Sequence, residues 1–175
     1  GCTGKFRSDV ASFHRLQAPS GELVQIVAKD SGKRGSIEFS QYASIVGERL
    51  WRLGYQPVGV DQKPDLVVRV DYRVGEARAQ IRSYGGYGPF GHGFGRFGFS
   101  HGFYGPYGYG YSHRQDIRSY TIYDRVLEME IAKSDNPDIN IFESRVISEG
   151  RSNRLPELMP LLVRSMFQEF PGPSG

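Results

Sequence analysis

The fold class is decided by Leu66-Val67-Val68-Arg69-Val70-Asp71-Tyr72-Arg73-Val74, where apolar side chains alternate with charged ones after the first residues. Because successive side chains of a strand point to opposite faces, this pattern predicts a strand with one face in a core and the other in water. The polar cluster Ser134-Asp135-Asn136-Pro137-Asp138 predicts a turn between two further strands, at residues 117–132 and 139–148. These two strands are expected to form a hairpin.

Two helices are predicted from apolar residues at helical spacing. The first has Ser36 as its N-cap and ends at Gly54, and the second begins between Leu155 and Glu157 and ends near Phe170. Shorter strands are predicted at residues 13–16, 22–29 and 55–60. We therefore predict an α+β fold, in which two helices pack on one face of a single antiparallel sheet of five or six strands, with a mixed sheet as the alternative.

The length and composition favour one domain. The 175 residues are 38% hydrophobic, carry a net charge of +3 and include one Cys, which excludes an internal disulfide framework and a strongly charged disordered chain. Apolar runs are too short for a transmembrane helix. We assign residues 1–4 to a tether, residues 5–171 to one domain with an insertion at residues 77–115, and residues 172–175 to a tail.

The insertion has a composition of its own. Between Tyr84 and His113 there are 11 glycines and 11 aromatic residues, and no acidic residue occurs between Glu76 and Asp116. Ordering a glycine-rich backbone costs much conformational entropy, and this stretch lacks the aliphatic residues of a core. The composition therefore predicts a long Gly/Tyr/Phe-rich loop. Such a loop binds a partner or, alternatively, acts as a spacer. The predicted partner-binding residues are Tyr84, Tyr87, Phe90, Phe94, Arg96, Phe97, Phe99, Phe103, Tyr104, Tyr107, Tyr109 and Tyr111.

Aromatic rings separated by glycines suit a protein, a glycan or a lipid headgroup as partner. Nucleic-acid bases also stack on such rings, but arginine is sparse in the loop, so nucleic acid is not a predicted partner. Arg96 and Arg114 are available to meet phosphate or carboxylate groups.

The start of the chain, Gly1-Cys2-Thr3-Gly4, is similar to the end of a bacterial lipoprotein signal peptide followed by the cysteine that becomes acylated. Two or three acyl chains on Cys2 give firm membrane anchoring, whereas one chain gives marginal binding. Thr3, in place of Asp, indicates the outer membrane. We expect lipidation of Cys2 and a location on the periplasmic face of the outer membrane of a Gram-negative bacterium; the alternative is an incidental thiol.

Three structural motifs follow one another in a recognisable order: Leu50-Trp51-Arg52-Leu53-Gly54-Tyr55, then Pro64-Asp65-Leu66-Val67-Val68-Arg69-Val70, and finally Met166-Phe167-Gln168-Glu169-Phe170-Pro171. Together with the Gly-Cys start, they resemble the bacterial lipoproteins of the "domain of unknown function 4136" family. The resemblance covers residues 5–76 and 116–171 and leaves the insertion outside. It implies an envelope lipoprotein that faces the periplasm, and it carries over no catalytic residue.

Sequence motifs of enzymes are missing. Cys2 is remote from every histidine, and no nucleophile elbow, Walker loop or His-Glu-x-x-His motif occurs. The stretch Gly91-His92-Gly93-Phe94-Gly95-Arg96 has the glycines of a phosphate loop but neither follows a Val/Ile-rich strand nor opens a helix. Glu128 and Glu130 share one strand face, where we expect a solvated surface rather than an acid–base pair.

The sequence therefore predicts a non-catalytic binding or assembly module that needs no cofactor. One alternative is a structural subunit of an envelope complex, or a homo- or hetero-oligomer, joined through the aromatic loop or a sheet edge. A second alternative is a metal-binding protein that uses His92, His101 and His113, although their spacing matches no short metal motif.

Overall fold

The computed structural model describes residues 6–84 and 116–172, and in these ranges the chain forms seven strands and two α-helices. The strands are β1 (Ser8–His14), β2 (Leu23–Ala28), β3 (Gln56–Pro57), β4 (Leu66–Val74), β5 (Arg78–Tyr84), β6 (Asp116–Lys133) and β7 (Asn136–Gly150). The helices are α1 (Ile37–Arg52) and α2 (Leu155–Phe167), and a short 3-10 helix at Ser31–Lys33 precedes α1. The predicted α+β class is confirmed.

The strands form one open, mixed sheet in the order β1-β7-β6-β4-β2-β3, with β5 paired to β6 outside this path. Strand β6 is antiparallel to β4 and β7, and β7 is antiparallel to β1, whereas β2 is parallel to both β3 and β4. An antiparallel sheet of five or six strands is therefore wrong in pairing and in number, and the mixed alternative applies. The reason is that α1 returns the chain to the starting end of β2, so that the next strands run parallel to β2.

The core lies between one face of the sheet and the two helices. Its most deeply buried members include Val24 of β2, Val68 and Val70 of β4, Leu127, Met129 and Ile131 of β6, Phe142 and Val146 of β7, Val46 and Leu50 of α1, and Met159, Leu162 and Val163 of α2. The strand residues in this set are every second one along each strand, as alternation requires. The helices also contact each other, so both pack on one sheet face, as predicted.

The ends of α1 follow the residues that predict them. The Ser36 side chain accepts a hydrogen bond from the backbone N–H of Phe39 at 3.0 Å, which is an N-cap interaction. Gly54 has a φ of +104°, in the left-handed region that other residues rarely adopt, and it reverses the chain after the helix. In α2, Pro156 lies in the first turn, where its missing N–H costs little.

Three strand predictions need correction. Strand β1 occupies Ser8–His14 rather than residues 13–16, because pairing with β7 over its whole length defines it and its own apolar pattern is weak. Strand β3 has two residues rather than six, and it tolerates Pro57 because the N–H groups that donate to Glu22 and Val24 are those of Gln56 and Val58 on either side of it. Strand β5 occupies Arg78–Tyr84, inside the range predicted as a loop insertion.

The described residues fall into two compact units. The first contains those up to Arg78 and from Thr121 onwards, and it holds both helices and the core; the second contains those within Ala79–Tyr120. Residues 85–115, which connect β5 to β6, lie outside the described residues. In the described ranges, neither helix combines the length and the apolar composition that crossing a membrane requires.

Candidate functional site

The sheet face opposite the helices carries charged residues on three adjacent strands. The register places Arg69 of β4 opposite Glu130 of β6, and Asp71 of β4 opposite Glu128 of β6. Arg145 of β7 lies opposite Glu128 on the other side. Arg69–Glu130 and Arg145–Glu128 are thus oppositely charged cross-strand pairs, which stabilise a sheet, whereas Asp71 and Glu128 are like charges that need neighbouring cations to offset their repulsion.

Glu130 is held between two cations. The Nζ of Lys29 donates a hydrogen bond to Oε1 of Glu130, and the Nε of Arg69 donates to its Oε2 at 3.3 Å. Burial alone raises the pKa of Glu130, but the hydrogen bond and charge of Lys29, with the charge of Arg69, outweigh burial and hold this pKa below its ordinary value. The hydrogen bond with Glu130 in turn raises the pKa of Lys29.

Glu128 is surrounded by three cations. Its carboxylate lies 2.8 Å from Arg145, 3.2 Å from Arg73 and 3.6 Å from Lys29. The side chain of Glu128 is 11% exposed and that of Glu130 is 19% exposed. The expectation of a solvated surface is therefore wrong for these two carboxylates, which are mostly buried within a layer of ion pairs.

This layer of ion pairs is better suited to a rigid, structural surface than to acid–base catalysis. A general acid needs a pKa near the working pH, and the pKa of Glu130 is moved in the opposite direction by its partners. Beside the layer is a shallow depression of about 260 Å³, lined in part by Lys29, Glu143 and Arg145. Phe13 of β1, which is 65% exposed, borders it.

A larger groove, of about 580 Å³, lies between α1 and the edge of the sheet at β2 and β3. We call it the α1 groove, and it is lined by Ile26, Ala43, Ser44, Gly47, Glu48, Trp51, Pro57 and Val58. Gly47 brings α1 close to the sheet, because a Cβ at this position would lie 3.3 Å from Cδ1 of Ile26. Trp51 is 66% exposed, an unusual degree for the largest apolar side chain.

Arg125 of β6 is a buried cation on the sheet face that the helices cover, and it is 3% exposed. Its guanidinium donates to Oγ of Ser148 at 2.7 Å and to the backbone oxygen of Ser152 at 3.0 Å. Burial lowers the pKa of Arg125, although a guanidinium stays charged at neutral pH. The ring of Phe6 lies 5.9 Å from its central carbon, and Ser148 donates to the backbone oxygen of Arg7 at 2.8 Å. Arg125 and Ser148 thus fix the chain at Phe6 and Arg7.

Most residues that the sequence singles out for binding lie outside the described residues. Tyr84 is the last residue of β5, while Cys2, the other aromatic residues of the loop, Arg96 and the three loop histidines lie beyond the described ranges. Within those ranges, no three His, Cys, Asp or Glu residues are grouped closely enough to hold a metal ion. The partner-binding and metal predictions for the loop therefore stay predictions.

One protein-family model matches most of the chain. The model of the family described as "Domain of unknown function (DUF4136)" matches residues 12–172. The chain belongs to the DUF4136 family. The family predicted from the sequence motifs is thereby confirmed. The matched range includes both helices and all the strands except the first residues of β1, and it also runs through residues 77–115, which the motif resemblance leaves outside. No curated protein is similar enough in sequence to be matched with the chain.

Solved structures are similar to this DUF4136 chain at low sequence identity. A PelC dodecamer from Paraburkholderia phytofirmans has 10% identity and a TM-score of 0.48, with 91% of this chain and 95% of that chain covered. A variant PelC dodecamer from the same organism has 9% identity and a TM-score of 0.47, with 91% and 93% covered. A PDZ domain protein from Parabacteroides distasonis has 14% identity and a TM-score of 0.47, with 95% of this chain but 36% of that chain covered.

Two features of the DUF4136 domain leave a signal in the sequence, but the signal can be interpreted only once the fold is known. The charges of Arg69, Asp71 and Arg73 on β4 and of Glu128 and Glu130 on β6 have strand periodicity, but only the register shows that they pair. Trp51 stands beside charged residues late in α1, outside the apolar stripe of that helix, which marks it as exposed. The edge of the sheet below it is not visible in the sequence.

Proposed function

We propose that this DUF4136 protein is an outer-membrane lipoprotein anchored by acylated Cys2, whose periplasmic domain is a non-catalytic binding or assembly module. The Gly1-Cys2 start and the family resemblance support the anchor. The position of Phe6 limits the reach of such an anchor, because four residues of chain after Cys2 span at most about 14 Å. An acylated Cys2 would then hold the domain directly against the membrane surface.

The observation that carries the binding role is the place of residues 85–115 in the chain. They connect β5 to β6, two strands that pair with each other. The buried core cluster is drawn from residues 24–72 and 127–166, so the helix-covered face of the sheet has its own set of apolar contacts. We propose that the aromatic side chains of residues 85–115 make contacts with a partner instead of adding to this core.

The chemistry of the segment suits adhesion. Tyrosine and phenylalanine rings provide large contact areas with few rotatable bonds, and glycines let the backbone follow the shape of a partner. The partner we propose is an envelope protein or a glycan, since rings stack on both. Arg96 and Arg114 add a positive charge that the segment does not balance with any acid.

The anchor is tested by mass spectrometry of the N-terminal peptide from cell membranes. A diacyl or triacyl Cys2 is expected, and an unmodified thiol in the native protein would contradict the location.

The binding role is tested by cross-linking in intact cells. The wild-type chain is compared with a variant of equal length in which the aromatic residues from Tyr87 to Tyr111 are serine. Loss of a discrete cross-linked product in the variant is expected, and an unchanged product would rule out the segment as the binding element.

The open sheet supports a second candidate, a structural subunit that associates with copies of itself. Strands β1 and β3 end the sheet, and unpaired edges are sites for pairing between chains. Sedimentation of the deacylated full chain distinguishes the two candidates: a species that grows with concentration supports self-association, and a monomer at high concentration excludes it.

A further inference from the structure

The two strands that end the sheet differ in how well their outer edges are protected. Strand β3 has two residues, one of them Pro57, so it offers little edge to a further strand. Strand β1 has seven residues, Ser8–His14, and it pairs with β7 without a register shift. Sheet edges in natural proteins are commonly protected by proline, by bulges or by short length, and β1 has none of these three. Of the two end strands, β1 therefore presents the longer pairing edge.

Backbone direction shows which groups of β1 point to this edge. The N–H of Arg15 donates to the oxygen of Ile141 at 2.8 Å and continues the register of the β1–β7 pair. In an antiparallel pair, residues that bond to the neighbouring strand alternate with residues that do not. The odd-numbered residues of β1 therefore bond to β7. The N–H and C=O groups that point to the edge include those of Ser8, Val10 and Ser12.

The edge of β1 is accessible. Val10, in the middle of the strand, is 44% exposed, and Phe13 is 65% exposed. Asp9, Ala11 and Arg15 are exposed as well. Within the part of the chain that the structure describes, no further backbone group bonds to Val10 from the outer side. The strand thus has room for a neighbour.

Two charged side chains beside this edge have no partner. Alternation puts the odd-numbered side chains of β1 on the sheet face opposite the helices. Among the described residues, neither Asp9 nor Arg15 has an ion-pair or side-chain hydrogen-bond partner, whereas Glu128 and Glu130 on the same face are surrounded by cations. Asp9 and Arg15 are six residues apart, or roughly 20 Å along an extended chain, which is too far for them to pair with each other.

A second copy of β1 supplies what both charges lack. When two β1 strands run antiparallel around Ser12, the outward backbone groups of the even-numbered residues bond to one another. Asp9 of each copy then lies opposite Arg15 of the other, at a non-hydrogen-bonded position where opposed side chains are closest. Phe13 of each copy lies beside the small Ala11 of the other, so a large side chain faces a small one. One contact therefore forms two ion pairs and two apolar pairs.

Neighbouring registers lose this complementarity. A shift of two residues in one direction brings Arg7 opposite Arg15 of the second copy, which is a like-charge pair. The same shift in the other direction brings Gln17 opposite Asp9 and leaves both charges without a partner. The pairing centred on Ser12 is thus favoured over both of its neighbours by charge.

We propose that β1 is the interface through which two copies of this chain associate, as an antiparallel and two-fold symmetric strand pair centred on Ser12. The proposal rests on the second candidate function, self-association, and it names the edge, the register and the residues. The interface belongs to the unit that holds the core. It uses neither the lipid anchor nor residues 85–115, so the partner-binding role of that segment stands or falls separately.

The test uses the full chain with Cys2→Ser, which carries no lipid. Sedimentation over a range of concentrations should show a dimer that grows with concentration and no larger species, because a two-fold contact closes on itself. Hydrogen exchange of the Val10 and Ser12 amides should slow by about tenfold or more as the dimer forms. Exchange of the Ala11 amide, which already bonds to β7, should change little.

Charge reversals make the test specific to the register. Asp9→Arg replaces two ion pairs with two repulsions and should weaken dimerisation about tenfold or more, a loss of about 1.4 kcal/mol. Arg15→Asp should do the same, and the double variant Asp9→Arg/Arg15→Asp should dimerise like the wild type. Asp61→Arg is the matched control, since it makes the same charge change at an exposed position outside β1.

Four outcomes overturn the proposal: a chain that stays monomeric at about 1 mM, growth beyond the dimer, equal dimerisation by Asp9→Arg and Asp61→Arg, or no recovery in the double variant. A monomer would remove the second candidate function as well. An association that is indifferent to the charge reversals would leave self-association standing and overturn the assignment to β1 alone.

Discussion

Buried charges on the two faces of the sheet are stabilised in different ways. Glu130 is paired with Lys29 and Arg69, so its charge is neutralised by partners at short distance. Arg125 has neutral oxygen partners from Ser148 and Ser152 among the described residues, and its Nε has no hydrogen-bond partner. Such an orphaned donor costs free energy, which makes Arg125 a position where an apolar substitution of similar volume need not destabilise the fold.

The Glu130 ion pairs predict a pH-dependent stability. Because the folded-state pKa of Glu130 lies below the ordinary 4.5, its pairs contribute fully above about pH 4.5 and are lost as the pH falls through the folded value. Glu130→Gln should therefore lower the free energy of unfolding by about 1–3 kcal/mol at pH 7. The gap between the variant and the wild type should shrink at pH 3, as measured by urea denaturation.

The control for this prediction is Glu48→Gln, the same chemical change in an exposed pair with Arg52 on α1. Exposed pairs at this spacing contribute about 0.3–0.5 kcal/mol, so the control should change little at either pH. Equal losses in the two variants, or a Glu130→Gln gap that persists in acid, would argue against a buried ion pair on the charged face.

At the scale of elements, α1 determines how the rest is connected. It packs Tyr42, Val46 and Leu50 into the core, and it returns the chain so that β3 and β4 run parallel to β2. Its side toward the sheet edge is lined with small residues and forms the α1 groove. One helix thus supplies a core face, a crossover and one wall of the α1 groove.

The start of α1 gives a prediction at this scale. Ser36→Ala removes the side-chain acceptor for the Phe39 N–H, and the loss of an N-cap lowers the free energy of unfolding by about 1 kcal/mol. Ser40→Ala is the matched change one turn later, at an exposed position whose hydroxyl donates to the Ile37 oxygen. Since Ala favours helices over Ser, it should be neutral or slightly stabilising in thermal unfolding. Equal destabilisation by both changes would show that the cap is not formed.

At the scale of the whole molecule, we expect the core to fold without the Gly/Tyr/Phe-rich segment. Replacing residues 85–115 with a four-residue Gly/Ser linker should leave cooperative urea unfolding intact. The free energy of unfolding should change by no more than about 2 kcal/mol, the difference in closure entropy between a long and a short loop. Circular dichroism and the urea transition measure this. A variant that is expanded, or that unfolds without cooperativity, would place the segment in the core.

The match between sequence and structure is closest where a residue acts on its neighbours in the chain. Ser36, Gly54 and the turn at Ser134 and Asp135 set their elements because caps and turns depend on local backbone geometry, although β7 begins at Asn136, within the predicted turn cluster. The prediction fails at β1, where the polar Ser8 and Ser12 become a strand only through pairing with β7. It also fails for Glu128 and Glu130, whose burial depends on cations contributed by β4, β7 and the end of β2.

The sequence by itself determined the two helices, the long strands, the family and the unusual composition of residues 84–113, since periodicity and composition are properties of one chain segment. The tertiary structure alone decided the parallel pairing of β2, the ion pairs around Glu128 and Glu130, the burial of Arg125 and the edge beside the α1 groove. Each of these depends on residues far apart in the chain. The distances between those residues are fixed only when the strands and helices assemble around a common core.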